Sequence, residues 1–230
     1  MTARPSILLF DIDGTLLHAG GAGRRAISRV FKEHFARDAV FDDVRFHGMT
    51  DRAIIRGGLE RVGLPADDAT IDRICSTYLD ALADEMPTSK GFVVHPGVRE
   101  LLDALTQRDG VAVGLGTGNL RGGARIKLEH AGIHHHFLFG GYGCDHELRP
   151  EIIRLAAERG AAHLGRPLDE CRIVVIGDTP RDVEAARAVG ATAVTVETGG
   201  IPAATLRAAG AAHVFPSLAH DGVLAAILGG

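Results

Sequence analysis

The sequence predicts an α/β fold, in which a parallel sheet is covered by helices on both faces and interrupted once by a helical block. Three observations carry that expectation. Short, continuous apolar runs recur through the second half of the chain, separated by stretches of helical periodicity, as strands buried on both faces do. Residues 18–92 show helical spacing and no strong strand signal. Three of the apolar runs end abruptly in polar segments built from Asp, Thr, Asn and Gly.

The first run, Ile7-Leu8-Leu9-Phe10, reads as a buried strand. Apolar residues then recur at helical spacing: Ala26, Ile27, Val30, Phe31 and Phe35; next Ile54, Ile55 and Leu59; next Ile71, Ile74, Tyr78, Leu79 and Leu82. Gly20, Gly21 and Gly23 stand at one edge of this block, and Pro87, Gly91, Pro96 and Gly97 at the other. The pattern suggests a helical cap on two hinges, residues 18–92, inserted into a core of residues 1–17 and 93–230. Beyond it, residues 111–115 read as a strand, residues 121–131 as a helix and residues 137–139 as a short strand. Pro150 opens a helix, because a proline lacks an N–H where the first helical turn has no partner for one. Residues 172–176 form a clear buried strand, and Pro180 starts a helix that Gly190 stops. Residues 193–196 and 213–215 complete the strands.

Hydrophobic residues make up 46% of the 230 positions and aromatics only 5%, which describes a globular chain built on Ala, Val, Leu and Ile. A formal charge of −4, with arginines scattered, leaves no electrostatic footprint for nucleic acid or an anionic membrane. No segment approaches the ~20 apolar residues that a membrane span needs. Cys75, Cys144 and Cys171 are odd in number and contain no Cys-x-x-Cys pair, so neither a disulfide framework nor a zinc site is suggested. The N-terminal apolar run is too short for a secretion signal and ends at Asp11. A cytoplasmic protein with reduced thiols is the expectation.

Asp11-Ile12-Asp13-Gly14-Thr15 follows the first strand. Two carboxylates two residues apart at a strand exit are costly unless they do chemistry or hold a cation. Gly14 permits the sharp turn that aims both at one point. Gly116-Thr117-Gly118-Asn119 ends the strand at 111–115, and Gly177-Asp178-Thr179-Pro180-Arg181-Asp182 ends the one at 172–176. In open parallel sheets, ligands bind in the crevice beyond the carboxyl ends of the strands, so the three segments should converge.

In this combination the chain resembles the haloacid dehalogenase superfamily of aspartate-nucleophile phosphohydrolases, from residue 7 to at least residue 196. DIDGT at 11–15 matches the first motif, Thr117 the second and GDTPRD at 177–182 the fourth. The third motif, a cation before a helix, is best matched by Arg149 in Leu148-Arg149-Pro150-Glu151. Lys127 is the alternative; it lies inside a helix, where a solvated face would also explain it. Within the superfamily the likeness is to the phosphoglycolate phosphatase-like group, whose helical cap follows the first motif. That group usually carries an acidic residue and a serine shortly after the motif, where this chain has Leu17-His18-Ala19-Gly20.

The resemblance implies a Rossmann-like parallel sheet core with an inserted α-helical cap, and a Mg2+-dependent phosphatase acting on a small phosphorylated metabolite. Asp11 is implied as the nucleophile that forms an aspartyl-phosphate. Asp13 is implied as general acid for the leaving oxygen and then base for water, an acid that a dehalogenase would not need. Mg2+ takes oxygen ligands and keeps several waters, so Asp11, Asp178 and, by the resemblance, the backbone carbonyl of Asp13 suffice. Asp182, one helical turn after Asp178, is expected to orient metal waters or Asp178 itself. Thr117 and the N–H groups near Gly118 and Asn119 are placed to donate to phosphoryl oxygens, and Arg149 to stabilise Asp11 and the phosphoryl group. A phosphomutase, in which the phosphoryl group returns to substrate, is the alternative with the same nucleophile. A non-catalytic phosphate-binding protein would have lost at least one reactive group, and none is missing.

Other signals weigh less. Gly114-Leu115-Gly116-Thr117-Gly118 lacks the spacing of a dinucleotide loop and sits on a later strand. His134, His135 and His136 are consecutive, so their side chains diverge, and a solvated loop before the strand at 137–139 is expected. Cys144 has no visible activating partner. In the helical block, His18, Arg24, His47, Thr50, Asp51 and Arg52 are the polar candidates to face a substrate.

Overall fold

The computed structural model describes residues 4–229. The strands are β1 (Ser6–Phe10), β2 (Leu17–Ala19), β3 (Phe92–Val94), β4 (Val111–Gly116), β5 (Gly140–Gly141), β6 (Arg172–Gly177), β7 (Thr192–Val196) and β8 (His213–Phe215). The helices are α1 (Ala22–Phe35), α2 (Asp51–Arg61), α3 (Asp68–Glu85), α4 (Val98–Thr106), α5 (Arg121–His130), α6 (Arg149–Leu164), α7 (Pro180–Ala188), α8 (Ala203–Ala209) and α9 (Val223–Leu228). Six strands form one sheet in the order β5-β4-β1-β6-β7-β8, and all its pairings are parallel. This is the α/β fold that the apolar runs predict.

The strand residues divide by parity, as side chains of a pleated strand must. Leu8 and Phe10 of β1 join Val113, Leu115, Val174 and Ile176 in a core completed by Leu101, Leu102 and Leu105 of α4. Ile7 and Leu9 point the other way, onto Ile153, Ala156 and Ala157 of α6 and Val183 of α7. Because both faces are covered, β1 is buried at every residue, which is why its sequence does not alternate.

Helices α1, α2 and α3 lie between β2 and β3. Thr50 caps α2 by accepting the Ala53 N–H at 3.2 Å, and Asp67 caps α3 by accepting the Thr70 N–H at 2.9 Å. Phe31 and Phe41 meet edge to face at 5.0 Å inside this block. The sequence shows no strand signal here, yet β2 and β3 pair antiparallel, Leu17 with Val94 and Ala19 with Phe92. Three residues per strand are too few for alternation to register.

Two further expectations need correction. Pairing at the sheet edge begins at Gly140, so residues 137–139 are not a strand. Phe137 and Phe139 are apolar for other reasons: Phe137 sits edge-on to Phe10 at 6.3 Å, and Phe139 stacks on His163 at 5.6 Å. The strand itself is two glycines, which carry no apolar signature. The histidine run is a 3-10 turn rather than a solvated loop, with His136 buried and its Nε2 3.5 Å from Asp103. All three cysteines are free, and no helix among the described residues is long and apolar enough to cross a membrane.

Candidate active site

Strand register brings the polar segments together. Phe10 lies level with Leu115 on one side and Ile176 on the other, so the next residue, Asp11, emerges level with Gly116 and Gly177. Thr117 and Asp178 follow one residue further along the flanking strands. The Asp11 N–H donates to the Ile176 carbonyl at 2.9 Å, which fixes where the chain leaves the sheet.

Asp11, Asp178 and Asp182 are buried, and one oxygen from each lies within 4.8 Å of the others. Arg149, the first residue of α6, enters this cluster from the side. Its Nη2 is 2.8 Å from Asp11 Oδ2 and 2.5 Å from Asp182 Oδ1. Its Nε is buried with no acceptor among the described residues, a donor left over for a further group. Burial pushes the Asp11 carboxyl up to about 6, with Arg149 opposing and the neighbouring carboxylates adding to the rise. Burial and the charges of Asp182 and Asp11 push Asp178 up to about 8. Arg149 is held charged: burial works against it, and Asp11 and Asp182 outweigh that.

Each carboxylate is positioned by its local sequence. Asp182 Oδ2 accepts the Thr179 N–H at 3.0 Å, the Thr179 hydroxyl at 2.7 Å and the Asp178 N–H at 3.3 Å, closing a capping box on α7. Its other oxygen faces Arg149, so it orients both Asp178 and the arginine. Asp178 accepts the Thr15 hydroxyl at 3.0 Å. Its carboxylate fits between Gly14 and Gly199, where a β-carbon on either glycine would overlap it. Gly199→Ala is therefore expected to displace Asp178 and destabilise the fold by about 1–3 kcal/mol. Urea unfolding checks it, and an unchanged midpoint would contradict the cradle.

Asp13 sits in a second network. Its Oδ2 accepts from Lys127 Nζ at 2.6 Å and from Asn119 Nδ2 at 2.9 Å. Lys127 also donates to Asn119 Oδ1 at 2.7 Å, and Asn119 Nδ2 donates to Thr117 Oγ1 at 2.9 Å. Lys127 is therefore not a solvated residue; it is buried on α5, because two acceptors compensate its charge. The Asp13 side chain is 44% exposed, onto the cavity. The surrounding protein disfavours its charge, but the Lys127 ammonium and the Lys127 and Asn119 hydrogen bonds hold its carboxyl below the usual range. Thr117 is wholly buried, accepts from Asn119, and has no acceptor for its own hydroxyl proton among the described residues. The Gly118 carbonyl accepts the Asp51 N–H at 2.9 Å.

A cavity of about 550 Å³ opens above these groups, with Asp11, Asp13, Asn119, Lys127, Arg149 and Asp178 at its base. The polar residues of the helical block separate here. His18, Arg24, His47 and Asp51 line the cavity. Thr50 serves as a helix cap, and Arg52 pairs outward with Asp68 and Asp72. Arg24 donates to the carbonyls of Phe41 and Val44 and lies over the Phe46 ring. Asp51 Oδ2 accepts the Leu120 N–H at 2.8 Å, tying α2 to the loop after β4. Burial pushes its carboxyl up to about 6, with Lys127 opposing.

Sequence reasoning offered Lys127 only as the alternative to Arg149 and missed its pairing with Asp13, and it missed Thr15, Thr198 and Gly199 as supports of the site. Asn119 lies in the loop before α5 and Lys127 on α5 itself, so no helical spacing linked the two. For Thr198 and Gly199 the signal was the Gly-Gly pair after β7; Thr198 Oγ1 donates to the Gly14 carbonyl at 2.6 Å.

Three buried carboxylates against one guanidinium leave excess negative charge among hard oxygen donors, which suits a divalent cation such as Mg2+.

Comparison with known proteins bears on the whole chain. A family model for haloacid dehalogenase-like hydrolases matches residues 5–190. A phosphoglycolate phosphatase of Rhodospirillum rubrum is 30% identical over 230 residues, covering 95% of this chain and 90% of that protein. A phosphoglycolate phosphatase of Caulobacter vibrioides is 30% identical over 202 residues, covering 84% and 79% respectively. A hydrolase from Pseudomonas syringae superposes with a TM-score of 0.70 at 24% identity, over 94% of this chain and 95% of that one.

Proposed function

The chain belongs to the haloacid dehalogenase-like hydrolases, as a phosphoric monoester hydrolase, and from that premise we propose that it hydrolyses a small phosphorylated metabolite through an aspartyl-phosphate on Asp11. The observation that carries the reading is the placement of Asp11. It stands at the end of the central strand, 2.8 Å from Arg149, whose Nε is an unfilled donor, and its neighbour Asp13 faces the same cavity.

Asp11 attacks phosphorus, and the bond to the ester oxygen breaks. Arg149, the Thr117 hydroxyl and the N–H groups near Gly118 and Asn119 hold the phosphoryl oxygens and offset their charge. Asp13 must take up a proton against the pull of Lys127 to give it to the departing alcohol, and once ionised it takes one from the water that cleaves the aspartyl-phosphate. Mg2+ would be held by the Asp11 and Asp178 carboxylates and the Asp13 carbonyl, and when bound it neutralises phosphate charge against an anionic nucleophile. Residues 18–92 act as a cap that excludes bulk water and limits substrate size. The three unpaired thiols of the chain suit a cytoplasmic protein.

Phosphate release from 4-nitrophenyl phosphate, with and without Mg2+, tests the reading. Release of phosphate rather than isomerisation of a sugar phosphate also separates a phosphatase from a phosphomutase. No Mg2+-dependent release would sink the proposal.

The raised carboxyls add a stability prediction. Between about pH 4 and pH 8 the folded, metal-free protein binds more protons at Asp11 and Asp178 than the unfolded chain does. The contribution of these two carboxyls to stability should therefore fall as pH rises through that window, opposed in part by His95 and His136, whose pKa values are lowered by burial. Mg2+ binding requires the ionised carboxylates, so its stabilisation should be larger at pH 8 than at pH 5.5. At a hundredfold excess over Kd it amounts to about 2.7 kcal/mol. Thermal melts in EDTA and in Mg2+ at both pH values measure it, and an equal Mg2+ effect at both would contradict it.

A further inference from the structure

The base of the cavity is suited to a phosphoryl group; its upper part must accommodate the alcohol to which that group is esterified. A volume of about 550 Å³ falls in the range of sites that enclose a drug-sized ligand. Ile27, Phe46, Met49, Ile54 and Ile55 form its apolar walls.

The cations that reach the cavity are already engaged or exposed. Arg149 is held by Asp11 and Asp182, Lys127 by Asp13 and Asn119, and Arg24 by the carbonyls of Phe41 and Val44. His18, Arg45 and His47 are solvent-exposed. The enclosed part therefore offers no free positive group to a second anion, and it presents the Asp51 carboxylate instead. Two polar groups there remain open. Tyr78 is buried and lines the cavity, and its hydroxyl has no hydrogen-bond partner among the described residues. Asp51 uses only Oδ2, toward Leu120.

We infer that this site, on the phosphatase reading above, takes the phosphate monoester of an uncharged alcohol with a largely apolar body and a hydroxyl for Asp51 and Tyr78, and discriminates against esters that carry a carboxylate. A carboxylate held beside Asp51 meets like charge in a poorly solvated space. A short polar ester leaves the apolar walls uncovered and the Tyr78 hydroxyl unpaired.

The test compares kcat/KM, with Mg2+, for 3-hydroxybenzyl phosphate, benzyl phosphate and phosphoglycolate. Acetyl phosphate serves as a control whose leaving group scarcely reaches the walls. The hydroxybenzyl ester is expected to exceed benzyl phosphate about tenfold and phosphoglycolate about 100-fold. Asp51→Asn should shrink the gap to phosphoglycolate about tenfold, and Tyr78→Phe should erase the advantage of the hydroxyl. Equal or greater activity on phosphoglycolate in the unaltered protein, or a gap that Asp51→Asn leaves unchanged, would overturn the inference. If acetyl phosphate is hydrolysed by the unaltered protein and not by Asp11→Asn while no such preference is seen, only the substrate class falls. If none of the four compounds is hydrolysed, the phosphatase reading falls, and this inference with it.

Discussion

Asp11→Asn is expected to lower phosphate release by roughly 10⁴-fold or more, because the amide is a poor nucleophile and the residues around it act as a unit. The change is nearly isosteric and removes one charge from a crowded set of buried carboxylates. Asp11 resists ionisation in the folded protein, so its neutral analogue should be no less stable at pH 8 and more stable if anything. Lost activity with retained or raised stability is the signature of a nucleophile. Near-normal turnover by Asp11→Asn would remove the assignment. Activity and stability falling together would instead make Asp11 a structural residue. After rapid mixing with substrate, the unaltered protein should carry one phosphoryl group on Asp11, visible by mass spectrometry of the quenched protein.

Arg149→Met should have the largest effect on stability. The guanidinium is buried between Asp11 and Asp182, and removing one partner of a buried ion pair costs about 3–5 kcal/mol. Without it, three carboxylates share one space, and protonation is their main relief. The loss should therefore be smaller at pH 5 than at pH 8, and Mg2+ should restore part of it. Turnover should fall as well, since the same guanidinium is the donor assigned to the phosphoryl oxygens. Arg149→Lys keeps the charge and loses the fork, so it should recover more stability than activity. Urea titrations at the two pH values decide the matter. A loss that does not depend on pH would mean that the arginine acts by packing rather than by charge.

Much of the fold was legible because apolar runs buried on both faces have few alternatives. Residues 7–10, 111–115 and 172–176 fell within strands of the central sheet for that reason. The sequence named no strand order; the structure sets these three strands side by side as β4-β1-β6, which brings their polar ends to one crevice as expected. What escaped was short or lacked a side chain. The strand Gly140–Gly141 has no apolar signature, and the neighbouring Phe137 and Phe139 drew its start three residues early. At the site, the carboxylates and Arg149 stood out because each sits at the edge of an element. Lys127 was legible only as the second choice for the same cation, since a lysine amid helical periodicity usually faces water. Its partners, Asp13 and Asn119, come from other segments, and only folding brings them to it. Asp51 was visible as a polar residue in the helical block, but its bond to Leu120 joins positions 69 residues apart.

The pairing of Leu17–Ala19 with Phe92–Val94 has a consequence for how such proteins diversify. The two ends of the insert lie side by side in a ribbon whose partners are fixed by backbone hydrogen bonds. A tight turn joining Ala19 to Phe92 would close the chain without stretching it, and a different insert would need only termini a strand's width apart. The intervening 72 residues enter and leave the core at one place, so a change in their length need not disturb the register of the strands beneath them.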